Sequence, residues 1–92
     1  AGVFATGGGF GGGGGGVETT MIAMHSNFME HGLITVGFPK SLPGYADGGL
    51  QWGPYGRSGH HEGMPGFVSD GALAAARSYG AHVAGVAAKL LD

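Results

Sequence analysis

The chain contains no cysteine, which removes disulfide staples and thiolate sites from the possibilities. Charge is scarce too: 11% of residues are charged, with four Lys/Arg against six Asp/Glu and a formal net charge of -2. Without a basic patch there is nothing to neutralise phosphates, and nucleic acid is not an expected partner. No uninterrupted apolar run reaches membrane-spanning length, and no signal-peptide pattern opens the chain. A soluble, cytoplasmic protein is the expectation. Ala1 stands where an initiator methionine would, which fits either processing or a piece of a longer protein.

Core material is thin as well. Much of the 42% hydrophobic content is alanine, which buries little area, and 92 residues lie near the small end for an independent core. Against this stand 23 glycines, each with a large conformational entropy to lose on folding. The chain is expected to be a fragment of a larger domain or to need an obligate partner.

Ten of the first sixteen residues are glycine, and the flanks of that run give it meaning. Residues 1–5 read as a short buried strand, and the residues after Val17 read as the opening turns of a helix. A glycine turn between strand and helix exposes backbone N–H groups and the positive end of a helix dipole. Without Cβ atoms, a flat or anionic ligand can approach closely. A flexible low-complexity linker is the competing reading.

From Glu18 to His31, Met21, Ile22, Met24, Phe28 and Met29 recur at three- and four-residue intervals, as on one side of a helix. Glu18 falls in the first turn, and Gly32 follows His31 as a helix stop. Residues 33–37 read as a second strand, apolar on successive positions and therefore covered on both faces, as in a parallel sheet. Residues 38–68 form a long Gly/Pro-rich loop carrying Tyr45, Trp52, Tyr55, His60 and His61. Ser69 and Asp70 cap a final helix over 69–91, with Leu73, Ala76, Gly80, Val83, Ala87 and Leu90 on one face. The order β-α-β-loop-α is half of an open α/β sheet, with its two strands expected to be parallel neighbours.

These segments resemble the C-terminal half of the WrbA-type, flavodoxin-like NAD(P)H:quinone oxidoreductases. The resemblance is carried by Val3-Phe4, the Thr6-Gly-Gly turn with Glu18-Thr-Thr20, Glu30-His31-Gly32, Pro54-Tyr55-Gly56, and Ala75-Ala-Arg77-Ser-Tyr-Gly80 with Val83-Ala-Gly85 and Lys89-Leu90. It spans nearly the whole chain and implies a partial flavodoxin-like three-layer α/β domain. It also implies FMN as cofactor, NAD(P)H and quinone as substrates, two-electron hydride transfer, and a homo-oligomer, a tetramer in that family. The family's first three strands, with the loop that holds the FMN phosphate, have no counterpart here, so a companion chain supplying that half is a further expectation. A non-catalytic flavodoxin-like subunit or interaction module is the alternative.

The resemblance implies flavin contacts at Thr6, Gly7, Gly8, Gly9 and Glu18, where backbone N–H groups would stabilise a reduced ring. It places His31 beside the ring, as cofactor contact and catalytic group. Read from the residues alone, His31 is equally a surface histidine closing a helix C-terminus. His25 is expected to be structural. His60-His61-Glu62 invites a zinc reading, but adjacent histidines in an extended loop seldom share one ion, and no metal is expected. Trp52, Tyr55 and Tyr45 are expected to anchor an interface first and to line a quinone pocket second.

Overall fold

In the computed structural model, residues 1–9, 14–58 and 68–91 are described. The first strand, β1 (Ala5–Gly7), leads through the glycine turn into α1 (Val17–Glu30). Gly16, at φ 80°, is the N-cap of α1 and offers no side chain. Thr20 donates both its backbone N–H (3.0 Å) and its hydroxyl (2.8 Å) to the Gly16 carbonyl, and no side chain caps the first-turn amides. At the other end His31 is the C-cap and Gly32 takes φ 79°. Gly32 N–H bonds the Met29 carbonyl (3.0 Å) and Leu33 N–H the Phe28 carbonyl (3.0 Å), the paired pattern of a Schellman stop.

The next element is not the strand expected over 33–37. Those residues carry no strand, although the Ala1 ammonium bonds Ile34 O (2.6 Å) and Val36 N–H bonds Ala1 O (2.9 Å), the alternation of a single parallel rung. The parallel neighbour of β1 is instead β3 (Gly53–Arg57), in register Ala5↔Tyr55, Thr6↔Gly56 and Gly7↔Arg57. One track beside residues 1–7 is therefore shared by two separate pieces of chain. Between them, residues 37–52 leave the track and return, closed at the neck by Phe38 N–H on Gln51 O (3.0 Å).

That excursion holds α2 (Tyr45–Gly48) and β2 (Gly49–Leu50), the latter antiparallel to β3. The region 38–68, expected as one loop, thus contributes two of the three strands found among the described residues. The sheet order is β1-β3-β2, and the whole is a small α/β domain with a mixed three-stranded sheet rather than a purely parallel one.

Helices cover both faces. A Cβ on Gly7 or Gly53 would meet Val17 or Met21 of α1, whereas one on Gly2 or Gly56 would meet Tyr79 and Val83, or Val68, on the other face. The opposite parity of these positions puts α1 and the final helix, α3 (Asp70–Leu90), on opposite sides. Ser69 caps α3 as expected, accepting from Ala72 N–H at 3.2 Å. Its buried residues are Ala72, Ala75 and Tyr79, one position off the expected stripe, and Leu73 and Leu90 are exposed.

The shift has a steric cause. Gly44 and Gly48 lie so close to α3 that a Cβ on either would come within 2.9 Å of Ala75 or Ala72 backbone. Only an alanine face admits that approach. Beside it Phe38 packs edge-on to Tyr45 (5.1 Å) and tilted against Tyr79 (5.2 Å), with Leu42 and Val83 filling in. On α1 the buried positions are Val17, Met21 and His25, while Ile22 and Met29, expected on that side, are exposed.

Candidate functional site

Two parallel strands, β1 and β3, end at the same edge of the sheet, and the α1 N-terminus rises beside it. In open α/β sheets this carboxyl edge is where ligands are received. Ser58 N–H bonds Gly7 O (2.9 Å), carrying the pairing one residue past Arg57. Thr6 and Gly7, expected in the turn, are the last residues of β1. Thr6 and Gly8 are exposed and Gly9 is half-buried.

The turn folds onto itself. A Cβ on Gly9 would collide with the backbone of Gly14 and Gly15, and Gly15 itself takes φ 74°. Glycine is required there by backbone-on-backbone packing, before any ligand is considered. Residues 10–13 of the run, Phe10 among them, lie outside the described residues, as does His60-His61-Glu62. Among the described residues no group of three or more His, Cys, Asp or Glu is placed to hold a metal.

Glu18 stands at this edge but is engaged. Its Oε1 accepts from the indole Nε1 of Trp52 at 2.8 Å. Seven residues along the same helix, His25 Nε2 donates to the Trp52 carbonyl at 2.7 Å. Trp52 therefore spans two turns of α1, gripped at its ring and at its backbone, and ties the end of the 37–52 excursion to the helix. Trp52, expected to anchor an interface, is half-buried and uses its indole N–H and its carbonyl within the chain. The i, i+7 spacing of Glu18 and His25 was the available signal, although nothing local says what lies opposite them. His25 is structural, as expected, and is buried.

His31 does not join this group. It is exposed at the C-terminal end of α1, and a 14-residue helix separates it from the glycine turn by about 20 Å. Within one chain, Thr6, Gly7, Gly8, Gly9 and Glu18 come together and His31 stands at the opposite end of the sheet. Arg57, half-buried and in register with Gly7 at the end of β3, is a residue that the sequence reading did not single out.

A shallow concavity of about 460 Å³ lies away from the turn, beside Ile34, Phe38, Gln51 and His82. A groove of about 390 Å³ runs between β1 and α3, lined by Phe4, Ala76, Gly80 and Val83 among others. A smaller one of about 180 Å³ continues it past Thr6 to Leu73. Tyr79 lies at the back of the larger of these two grooves, its hydroxyl accepting from Val3 N–H (3.3 Å) and donating to the Val36 carbonyl. Burial pushes this phenol above its ordinary value of 10.0, opposed by the bond from Val3. Among the described residues no helix is long and apolar enough to cross a membrane. No protein-family model matches the chain. No solved structure matches it either.

Proposed function

We propose that this chain is the flavin-ring side of a flavodoxin-like, FMN-dependent NAD(P)H:quinone oxidoreductase, a cytoplasmic homo-oligomer of the WrbA type. The observation that carries the reading is the glycine turn. It lies at the carboxyl edge of two parallel strands, next to a helix N-terminus, with Thr6 and Gly8 exposed.

The residues fit one part of the cofactor. The exposed backbone at Gly8 admits the edge of a planar ring, the space at Gly7 and Gly9 being taken by Val17 and by the Gly14 and Gly15 backbone, and Thr6 offers a hydroxyl beside it. The α1 dipole favours negative charge at that edge. FMN, when bound, supplies the hydride chemistry. The chain's contribution is to orient the ring and to stabilise charge at its polar edge. No element among the described residues is built to hold the phosphate, so that contact belongs to a companion segment.

Glu18 is assigned to holding Trp52 rather than the ring, and His31 is left out of the single-chain site. Those two facts favour the alternative in one respect: without a positioned acid or base, the chain alone is a cofactor platform and not a catalyst.

Comparison of FMN with lumiflavin, the same ring without the phosphate, tests the proposal. Titration of the 92-residue chain should give weak and nearly equal affinities for both, and Gly8→Val should abolish each. Failure of either flavin to bind would overturn the reading.

A further inference from the structure

The N-terminal end of α1 is left without a cap although the sequence offers one. Gly16 has no side chain to give, and the first-turn amides have no partner within the helix. Glu18-Thr19-Thr20 has the composition of a first turn that covers its own end, since a carboxylate there is drawn to the free amides. Two of these three side chains are engaged elsewhere. The Thr20 hydroxyl donates to the Gly16 carbonyl (2.8 Å), and Glu18 Oε1 accepts from the Trp52 indole (2.8 Å), 34 positions along the chain.

Trp52 is held independently of that bond. Its carbonyl is bound to Nε2 of the buried His25 (2.7 Å), so the half-buried indole is fixed beside the first turn. Glu18 is exposed and is the side chain that turns to meet it. A helix that leaves its end amides open, while its own carboxylate goes to a distant partner, departs from the locally stable arrangement. Such departures gather at functional sites.

We propose that Trp52 is a positioning residue of the glycine-turn site: its indole N–H draws the Glu18 carboxylate off the end of α1 and keeps the first-turn amides open to an anionic edge of the ligand. A carboxylate resting on those amides would occupy the donors and repel the incoming charge. Bound to a neutral indole instead, it takes none of them. That the ligand is a flavin, whose ring gains negative charge on reduction, rests on the function proposed above. The diversion of Glu18 does not.

This role differs from that of a tie that only holds residues 37–52. A tie acts on every state of the ligand alike, whether or not residue 18 is charged. A positioning residue acts through Glu18, most strongly on the anionic ligand, and loses its effect once residue 18 is neutral.

NMR of the 92-residue chain tests the diversion without any flavin. As acid protonates Glu18, the Trp52 Nε1–H signal should move, while the Val17, Glu18 and Thr19 amides should hold nearly still. In Trp52→Phe, which keeps the carbonyl bond to His25, the same amides should follow the carboxylate. Lumiflavin then tests the occupant. In its reduced form it should bind Trp52→Phe about fivefold more weakly than wild type, with a smaller loss in the oxidised form. Adding Glu18→Gln to Trp52→Phe should restore the affinity. Amides that titrate with Glu18 in the wild type, or that ignore it in Trp52→Phe, would overturn the proposal. So would a loss equal in both flavin states, or one left uncorrected by Glu18→Gln. A chain that binds no flavin would remove the flavin reading alone, and the amide signals would still decide the part played by Trp52.

Discussion

Tyr79 shows how much one side chain can hold here. Its hydroxyl sits between Val3 N–H and Val36 O, joining two stretches of chain that no ladder connects at that point. Tyr79→Phe keeps the ring against Phe38 but leaves both backbone groups without that partner, a cost of about 1–3 kcal/mol in thermal or urea unfolding. Because burial raises the phenol above 10.0 in the folded state, its contribution is fully present below pH 10.0 and is lost as pH rises through the higher folded value. Wild-type stability should therefore fall in strongly alkaline solution, and the Phe variant should show a shallower fall. Melting curves across that range check both. His31→Ala, by contrast, should leave flavin affinity within about twofold, since a helix length of about 20 Å separates it from the turn.

At the scale of elements, both long helices stop and start by local chemistry. Gly32 is in the left-handed region with open space where a side chain would go, so Gly32→Ala should cost about 1–2 kcal/mol through backbone strain alone. Ser69→Ala removes the α3 cap and should cost about 1 kcal/mol. The 37–52 excursion depends instead on distant partners: Gly44 and Gly48 on the α3 alanines, and Trp52 on Glu18 and His25. Trp52 is the sole tryptophan, so its emission reports on this anchor directly. Glu18→Gln should weaken the indole bond and shift that emission, with a loss of about 0.5–1.5 kcal/mol in stability.

For the whole molecule the deciding quantity is uncovered apolar surface. Phe4, Met29, Leu33, Ile34 and Leu90 are all exposed, and the enclosed cluster is small. A chain this size with an open sheet edge is marginal alone. Its unfolding midpoint should rise with protein concentration, as expected where association stabilises the folded state. A hydrophobic dye should bind the dilute chain more strongly than the concentrated one.

Much of this was legible in the residues, and the boundary has a physical basis. Gly32 and Ser69 announced helix ends because caps are local: a left-handed residue, or a side-chain oxygen three residues from an amide, needs no distant partner. The glycine turn before α1 was legible for the same reason, since only glycine takes φ 74° and 80° in succession without strain. Which segment pairs with β1 was not. Residues 33–37 have the stronger strand composition, yet Gly53–Arg57, rich in glycine and proline, takes the place beside Ala5–Gly7. Pairing depends on where the excursion returns, and that is set by Trp52 gripping α1 and by Gly44 and Gly48 meeting α3. The buried face of α3 was decided in the same way: the alanines that let backbones approach won over the larger side chains one position on. Local conformation followed from the sequence by itself, while the assignment of partners waited on packing between residues far apart in the chain.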